Sequence, residues 1–379
     1  MGELQETVTE RRRQTRNNIF MEIYRAESAP SKQEIAAKLG LSMPTVHQNL
    51  SELLAAGMIR GGETLRSTGG RRALTYIAAP DFRFAVGISI AADSLRIAAL
   101  DFCRQEIAFH KVVRPMLREG TADRTAQFIA EELENFLDAN KLNRARLLGV
   151  GIALPAVINT ETDEIKLAPT LHLKGISGRI LRDSIPYPNN LENDANAAGY
   201  SEWLSLESGG DAAYISLEEG VGGAVLLDGK PFRGMNGRSG EFGHMCVEPG
   251  GNRCNCGKLG CLEAYCSAKR ISSDLDITIE TFFQEIKRGN ASYTALWIDF
   301  LRHLAIGINN IRMGLDCDVI LGGFLAEFLE PYLPELKRMA AELNPFEDNA
   351  DYIRMCRHPH HAVVLGAALY YLEQYIKTL

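Results

Sequence analysis

The sequence has no apolar run that approaches the roughly 20 residues needed to span a bilayer, and its N-terminus has no apolar signal core. We therefore expect a cytoplasmic protein that makes no membrane contact. Disulfide bonds are not expected in that compartment, although the chain has eight cysteines. Five of them are expected to be buried thiols, because cysteine is often a small core residue: Cys103, Cys246, Cys266, Cys317 and Cys356.

The chain as a whole also lacks an excess of positive charge. It has 41 lysines and arginines against 48 aspartates and glutamates, a formal net charge of −7. Residues 1–80 depart from this balance, since they carry eleven basic and eight acidic residues. A basic segment on an acidic remainder is typical of a polyanion-binding module fused to another domain; the alternative is an ordinary solvated surface. The length of 379 residues predicts two or three domains.

A compact set of metal-ligand residue types is present at residues 244–261. One histidine and three cysteines follow the spacing His-x9-Cys-x-Cys-x4-Cys, which comprises His244, Cys254, Cys256 and Cys261. Three thiolates and one imidazole form the closed tetrahedral set that Zn²⁺ takes at structural sites. We therefore predict one structural zinc ion per chain. Glu241 and Glu263 flank the cluster, and a metal loop that fixes two carboxylates favours a sugar or polyol site.

Three short helices are predicted at the N-terminus. Ser31 and Glu34 form a capping box for the second helix, which ends at Gly40, and Ser42 caps the third. Helix, short glycine turn and helix are typical of a helix-turn-helix, whose second helix enters the major groove of DNA. A hairpin over residues 60–77 is predicted to be a wing.

The predicted DNA-contacting residues lie on the third helix and on the wing. The outward positions of the helix carry short polar groups that suit base edges and phosphates. Two arginines at the wing tip suit phosphates or the minor groove. These residues are Ser42, Thr45, His47, Gln48, Asn49, Arg71 and Arg72. The alternative is a small helical interaction domain, but helix spacing, wing and charge together favour double-stranded operator DNA as the partner.

Beyond a predicted linker at residues 78–83, a pattern of hairpin, helix and buried strand occurs twice. The first copy has strands at 84–90, 95–102 and 111–114, a helix at 122–137 and a strand at 147–154. The second has strands at 212–217 and 222–227, a helix at 293–315 and a strand at 318–321. This recurrence predicts an α/β protein with two similar lobes and a ligand in the cleft between them, near the strand ends.

Three segments resemble the ROK family of sugar kinases and sugar-responsive repressors. They are the cysteine loop, the Gly-Glu-Phe-Gly-His at 240–244 and the Glu-Asn-Asp-Ala-Asn-Ala at 192–197. The resemblance covers essentially all of residues 84–379, and with the winged segment the whole chain resembles the repressor branch. It implies a winged helix-turn-helix at 1–79 and an actin/hexokinase-like (ribonuclease-H-like) body at 84–379. Lobe one would span about 84–190 plus the C-terminal helix, and lobe two about 191–360 with the zinc loop.

The resemblance also implies a hexose-type ligand in the cleft. The matching positions for sugar contacts are Asn193, Asp194, Glu241, His244 and Glu263. Carboxylates suit such a ligand because they accept strong hydrogen bonds from hydroxyl groups. In a kinase, Asp194 would take the proton from the attacked hydroxyl, whereas in a binding protein it would hold that hydroxyl.

Two loops that hold ATP phosphates in family kinases are altered here. The Asp-x-Gly-Gly-Thr of the kinases is Ser-Ile-Ala-Ala-Asp at 89–93, and their Gly-Thr-Gly-x-Gly-Gly is Glu-Glu-Gly-Val-Gly-Gly at 218–223. Glycines let backbone amides approach phosphate, whereas added carboxylates repel it. We therefore expect a sugar-responsive repressor that is not an enzyme. The alternatives are an ATP-dependent sugar kinase with an appended DNA-binding domain and a regulator that responds to a partner protein. A homodimer or tetramer is expected, because two half-sites need two helices.

Overall fold

The computed structural model describes residues 8–64, 74–114, 121–159, 161–171, 173–206 and 209–379. The N-terminal segment comprises α1 (Val8–Tyr24), α2 (Lys32–Leu39), α3 (Met43–Ala55), β1 (Ile59–Thr64) and β2 (Leu74–Ala78). The two strands pair antiparallel. Over the described ranges, no helix has both the length and the apolar character that crossing a membrane requires.

Side-chain caps set the helix boundaries of this segment. The Ser31 hydroxyl accepts from the Glu34 amide, and the Glu34 carboxylate accepts from the Ser31 amide, so the predicted capping box is complete. α2 ends at Gly40, whose φ of +62° is the left-handed conformation that glycine adopts at low cost. Ser42 caps α3 by accepting from the Thr45 amide. These local signals explain why sequence patterns locate the helices well.

The next part of the chain builds a five-stranded sheet. Its elements are β3 (Phe84–Ile90), β4 (Ser94–Asp101), β5 (Glu106–Val113), α4 (Ala122–Ala139), β6 (Leu147–Leu154), β7 (Val157–Asn159), β8 (Glu164–Ala168), β9 (Leu173–Ser177), α5 (Arg179–Asp183) and β10 (Asn189–Asn193). The strand order is β5-β4-β3-β6-β10, with β3, β4 and β5 antiparallel and β3, β6 and β10 parallel. Strands β7–β9 form a separate three-stranded antiparallel sheet.

A second five-stranded sheet repeats this arrangement. Its elements are α6 (Asp194–Leu204), β11 (Ala212–Leu217), β12 (Val221–Leu227), β13 (Lys230–Pro231), α7 (Glu263–Cys266), α8 (Ile279–Lys287), α9 (Ala291–Leu315), β14 (Asp318–Gly322), α10 (Ala326–Leu329), α11 (Leu333–Leu343), β15 (Ile353–Met355) and α12 (Ala362–Thr378). The order β13-β12-β11-β14-β15 has the same antiparallel and parallel neighbours as the first sheet. The predicted duplication in an α/β fold is confirmed.

One strand differs from its prediction. The sequence predicts a strand at 111–114, whereas β5 spans Glu106–Val113. Every residue of β5 is exposed or half-buried, and the strand lies at the edge of the first sheet. Glu106, His110 and Lys111 interrupt the apolar residues of β5, and Ile107, Phe109 and Val113 are exposed, so its sequence lacks the regular alternation that marks a strand with one buried face.

The last helix, α12, lies against the first sheet and against α6. Two glycines permit this packing. A Cβ on Gly87 of β3 would lie 1.8 Å from the Val364 carbonyl oxygen, and one on Gly366 of α12 would lie 1.7 Å from the Ala197 carbonyl oxygen. No other residue type fits at such distances. α12 therefore ties the end of the chain to β3 and to the helix that follows β10.

The N-terminal segment shares a hydrophobic core with the two-sheet part of the protein. Phe20 and Tyr24 of α1 lie against Phe102, with ring centroids 5.7 Å and 5.8 Å apart. Phe102 also contacts Tyr375 of α12, at 6.0 Å. α1 is therefore packed on the body, and its Arg13 donates to the Thr378 carbonyl at the end of α12.

The residues predicted to be a linker, 78–83, are also packed. The Ala79 amide donates to the Met58 carbonyl, and the Phe102 amide donates to the Pro80 carbonyl. The Phe82 ring lies 5.1 Å from that of Phe102. This connecting stretch is therefore packed, because Ala78 and Ala79 are buried and Phe82 lies against the shared core.

Candidate functional site

Four ligand atoms converge in the loop between β13 and α7. His244 ends a single 3₁₀ turn (Phe242–His244), and the three cysteines come from the loop that follows. The Cys254 sulfur lies 3.8 Å from His244 Nδ1, and the Cys256 and Cys261 sulfurs are 3.7 Å apart. All four ligand atoms lie within 4.8 Å of one another. Tetrahedral Zn²⁺ with Zn–S bonds of about 2.3 Å needs sulfurs separated by roughly 3.8 Å, so this donor set fits zinc.

Two glycines shape the cysteine loop. Gly257 and Gly260 have φ values of +85° and +79°, in the left-handed region that other residues rarely adopt. A Cβ on Gly260 would also lie 1.9 Å from the Glu248 carbonyl oxygen. The backbone can therefore reverse between Cys256 and Cys261 and bring both sulfurs to one point.

The thiols of the cluster differ in acidity. Burial raises the pKa of the Cys254 thiol to about 12, whereas a hydrogen bond from the Lys258 amide lowers the pKa of Cys256. Thiols must lose their protons to bind a metal. Occupation of the site is therefore expected to strengthen as pH rises.

One ring nitrogen of His244 faces the cysteine cluster, and the other faces a carboxylate. Nδ1 lies toward Cys254, and Nε2 lies 4.0 Å from Glu241 Oε2. Burial raises the pKa of Glu241, while His244 lowers it and Glu263 raises it. A metal-bound imidazole commonly holds its second nitrogen toward a carboxylate. One histidine can thus serve both the metal and the neighbouring cleft.

Asn193 and Asp194 lie where β10 passes into α6. The Asn193 carboxamide accepts from the Asn196 amide, which caps α6, and donates to the Ala156 carbonyl. Asp194 accepts from the Ala195 amide. Burial raises the pKa of Asp194 to about 6, and the charge of Glu241 contributes in the same direction. Asp194 and Glu241 therefore belong to one cluster, although one starts α6 and the other lies in the loop after β13.

Glu263 joins the cysteine loop to the turn before β12. Its Oε2 accepts from the Val221 amide at 3.1 Å, and its Oε1 lies 3.6 Å from the Cys254 sulfur. Its charge also raises the pKa of Glu241. The structure therefore brings the predicted sugar residues Asp194, Glu241, His244 and Glu263 into electrostatic contact, with Asn193 beside Asp194.

Sequence reasoning missed an ion pair beside this cluster. Glu192, the residue before Asn193, pairs with Arg233 from the loop after β13 and accepts from the Asn196 carboxamide. Arg233 Nε and Asn196 Oδ1 are buried and lack a hydrogen-bond partner among the described residues. This leaves a donor and an acceptor for a bound water. No spacing rule pairs residues so far apart in the chain.

The first altered phosphate loop is the tight turn between β3 and β4. Ser89 is buried at its start. The Ala91 amide donates to the Ser94 carbonyl at 2.9 Å, and the exposed Asp93 carboxylate accepts from the Ser94 hydroxyl at 3.1 Å. The Ala91 amide therefore already donates a hydrogen bond within the turn.

The second altered loop places a carboxylate in a cavity between the two sheets. Glu218 Oε1 accepts from the Phe324 amide at 3.3 Å. Burial raises the pKa of Glu218 to about 7, while Arg96 of β4 lowers it and Asp194 raises it. Glu219 is exposed. The cavity is lined by Arg96, Tyr214, Glu218, Phe324, Pro359 and His360, together with Ala362 and Val363.

Arg96 is a second residue that sequence reasoning missed. It lies within β4 between the buried Leu95 and Ile97. A charged residue inside an apolar strand indicates that a residue of opposite charge lies near it in the fold. Its partner, Glu218, comes from the other half of the chain.

The exposed surface of α3 matches its predicted DNA-reading set in part. Ser42, His47 and Gln48 are exposed, and Thr45 is half-buried. The prediction that Asn49 faces outward is wrong: Asn49 is only 4% exposed, and its carboxamide donates to the Thr45 carbonyl. Residues 46, 49, 50 and 53 form one stripe at helical spacing, which faces the core. Arg71 and Arg72 lie outside the described residues.

The sequence profile of the ROK family matches residues 85–374. Among curated proteins, the chain is similar to the xylose repressor of Caldicellulosiruptor bescii. The two are 25% identical over 335 residues, which cover 82% of this chain and 83% of the repressor.

Among solved structures, the chain is similar to a ROK family transcriptional regulator described as a homologue of the Escherichia coli MLC protein. The TM-score is 0.75 at 20% identity, over 96% of each chain. It is also similar to a ROK hexokinase from Thermus thermophilus, with a TM-score of 0.64 at 27% identity, over 78% of this chain and 100% of the hexokinase. The match to the hexokinase leaves out about a fifth of this chain, whereas the match to the regulator covers nearly all of it.

Proposed function

Because the chain belongs to the ROK family, we propose that it is a DNA-binding transcriptional regulator, a repressor of carbohydrate genes that responds to a sugar. DNA binding is assigned to residues 1–79 and sugar binding to residues 84–379. The observation that carries the proposal is the fold shared with a ROK transcriptional regulator over 96% of both chains, N-terminal segment included. The name of the xylose repressor among its relatives supports the same role.

The ligand is proposed to be an uncharged sugar bound by Asn193, Asp194, Glu241, His244 and Glu263. Asp194 is half-buried, and burial raises the pKa of its carboxyl group, so the carboxylate has lost part of its water. Glu241 lies near it with a side chain that is 42% exposed. Hydroxyl groups of a sugar replace lost water by donating to carboxylates. An anionic ligand would face like charges at the same place.

A structural Zn²⁺ is assigned to His244, Cys254, Cys256 and Cys261. The distances between ligand atoms support this assignment, because they suit a closed tetrahedral site. Its role would be to fix the loop that carries Glu241 and Glu263. No step of chemistry is assigned to the metal.

We propose that the body does not phosphorylate its sugar. Glu218 lies in the interlobe cavity where the resemblance to kinases places ATP phosphates, and the turn at 89–93 lacks the glycines. A phosphate could bind there without repulsion only while Glu218 is protonated. Next to an ionised Glu218, the like-charge repulsion would cost about 4 kcal/mol for a 4 Å contact at an effective dielectric of about 20. That cost corresponds to about a thousandfold loss of affinity.

The DNA contacts are proposed to come from Ser42, Thr45, His47 and Gln48 of α3, with Arg71 and Arg72 on phosphates. The three exposed members of the α3 set are available to a major groove. A homodimer or tetramer in the cytoplasm is proposed, because paired half-sites need two such helices at a fixed spacing.

A thermal-shift screen with a parallel ADP-release assay tests this function. The panel comprises monosaccharides, their amino and N-acetyl derivatives, and sugar phosphates. One neutral sugar should raise the melting temperature, with about 2.7 kcal/mol of stabilisation at a hundredfold excess over Kd. It should fail to stabilise Asp194→Ala, whereas the exposed-acid control Glu219→Gln should respond normally.

Two outcomes would replace the proposal. Sustained ADP release that depends on Asp194 would make the protein a sugar kinase. Failure of every sugar to shift the melting temperature, with operator binding intact, would favour a regulator that responds to a partner protein.

A further inference from the structure

Cys246 is an exposed thiol beside the cysteine cluster, although the sequence predicts that it is buried. It lies two residues after His244 and is not among the four residues whose ligand atoms converge. Of the three cysteine ligands, Cys254 and Cys261 are buried, whereas Cys256 is exposed and would be held by the metal. Cys246 is therefore the exposed thiol of this loop that lies outside the ligand set.

The backbone places Cys246 opposite Cys261. The two residues are antiparallel bridge partners. Two hydrogen bonds of 2.8 Å flank them, from the Val247 amide to the Gly260 carbonyl and from the Leu262 amide to the Met245 carbonyl. This pattern defines a non-hydrogen-bonded pair, whose Cα atoms are typically about 4.5 Å apart with side chains on the same face.

That pairing suits a covalent link between the two sulfurs. Disulfides span Cα separations of roughly 4.4–6.8 Å, which includes the usual spacing of such a pair. The Cys246 sulfur also lies 3.3 Å from where a Cβ on Gly260 would be. The sulfur therefore rests against the segment that carries Cys261.

We infer that Cys246 and Cys261 form a redox switch that a peroxide closes into a disulfide. First, the Cys246 thiol attacks a peroxide ROOH; the O–O bond breaks, the sulfur becomes a sulfenic acid, and ROH leaves. The Cys261 sulfur then attacks the sulfenic sulfur; the S–S bond forms, and hydroxide leaves and takes up a proton to become water. The peroxide accepts two electrons, which balances the oxidation of two thiol sulfurs. A dithiol reductant reverses the change by thiol–disulfide exchange.

Closing this disulfide removes one ligand from the metal set. A site left with His244, Cys254 and Cys256 would release its zinc, because structural zinc requires four ligands. Glu263 lies two residues after Cys261 and bonds the Val221 amide, so its position would change as well. Loss of the sugar response is then expected; this last consequence rests on the proposed function, whereas the disulfide chemistry does not.

Another pair competes with this switch. The Cys256 and Cys261 sulfurs lie 3.7 Å apart, and they would form a disulfide if oxidation began at a metal ligand. Trypsin separates the two cases, because cleavage after Arg238, Arg253, Lys258 and Lys269 puts Cys246 in peptide 239–253, Cys254 and Cys256 in 254–258, and Cys261 in 259–269. Cys266 shares peptide 259–269 but is fully buried, and fragmentation of the peptide distinguishes it.

The experiment treats the full-length, zinc-loaded protein with hydrogen peroxide. Released zinc is followed with a chromophoric chelator, and non-reduced tryptic peptides are identified by mass spectrometry. We expect a 239–253 peptide linked to 259–269 through Cys261, with zinc release that dithiothreitol and added zinc reverse. Cys246→Ser and Cys246→Ala should both lose the linked peptide and release zinc several times more slowly, whereas Cys103→Ser should behave as wild type.

Three results would overturn the inference. The first is linkage of 254–258 to 259–269 as the main product. The second is equal zinc release in wild type and both Cys246 variants. The third is a Cys246 that stays reduced while zinc is lost. Each readout is independent of sugar and DNA. The zinc readouts rest on the proposed zinc site, whereas the linked peptide does not, so the peptide tests the disulfide even if the proposed function fails.

Discussion

Asp194 is a single carboxyl group whose burial ties the stability of the protein to pH. Burial raises its pKa from 3.8 to about 6. The native state therefore holds the proton across a window where the unfolded chain has released it. Stability contributed by this group is present below about pH 4 and falls as pH rises to about 6, because the native state binds more protons in that window.

Asp194→Asn should remove the free-energy cost of keeping an ionised carboxylate buried above about pH 6. At pH 8 we expect the free energy of unfolding to rise by about 1–3 kcal/mol relative to wild type, and at pH 4 we expect little difference. Urea unfolding at the two pH values measures both effects. The exposed-acid variant Glu219→Gln is the control and should show neither. A gain in Asp194→Asn that is equal at pH 4 and pH 8 would show that hydration of the ionised group is not its cause.

The recognition residues of α3 should separate into two kinds. Gln48→Ala and His47→Ala should lower affinity for the specific site by about 1–3 kcal/mol, with weaker preference for particular bases. Asn49→Ala should instead change the stability of the N-terminal segment and leave base preference unaltered, since Asn49 is buried. Sequence selection from random DNA, followed by titration at fixed salt, measures the difference. Altered base preference in Asn49→Ala would contradict the burial of this side chain.

At the residue scale, the sequence predicts which side chains lie together better than it predicts their burial. The cysteine spacing is sufficient to predict that His244 and three cysteines converge, because the four residues lie close together in the chain. The burial of Asn49 and the exposure of Cys246 depend on how whole elements pack. The Glu192–Arg233 ion pair and the electrostatic interaction of Arg96 with Glu218 join distant parts of the chain, so no local pattern contains them.

At the element scale, the cysteine loop is expected to depend on its metal. Cys256→Ser should bind no zinc, because only three ligands remain, and the loop that carries Glu263 should lose its fixed conformation. The sugar response should be lost with it. Metal analysis by mass spectrometry, together with limited proteolysis of the loop, tests this, and Cys103→Ser provides a cysteine control outside the cluster. Full zinc content in Cys256→Ser would rule out the assigned ligand set.

Among the other elements, those with caps or strong apolar periodicity are predicted well. The capping box of α2, the Ser42 cap of α3 and the buried strands β3 and β6 all lie where the sequence places them. β5 is the exception, because an edge strand has no buried face to impose alternation. Local signals therefore suffice where burial is one-sided or complete, and fail where an element is exposed on both sides.

At the scale of the whole molecule, a continuous packed path joins the cleft to the N-terminal segment. α6 begins at Asp194 and packs on α12, and Glu202 near its end accepts from the Arg357 and His358 amides. Tyr375 of α12 contacts Phe102, which contacts α1. Arg104 donates to Glu373 of α12 at 2.8 Å. The sequence does not predict this path, since it gives residues 78–83 the composition of a linker.

A packed path permits coupling but does not by itself establish it. A sugar can change DNA affinity only if the two arrangements of the body bind DNA differently. Coupling energies between sites are typically about 1–3 kcal/mol, or roughly 5- to 150-fold in affinity. We therefore expect sugar in the cleft to lower operator affinity by a factor in this range.

The most direct test measures operator affinity with and without the cognate sugar, in wild type and in Glu263→Ala, with Glu219→Ala as the exposed-acid control. Wild type and the control should lose affinity by roughly 5- to 150-fold when the sugar is added. Glu263→Ala should bind the operator as wild type does and show no sugar effect. An equal sugar response in Glu263→Ala and wild type would mean that the effector binds elsewhere, and it would contradict this account.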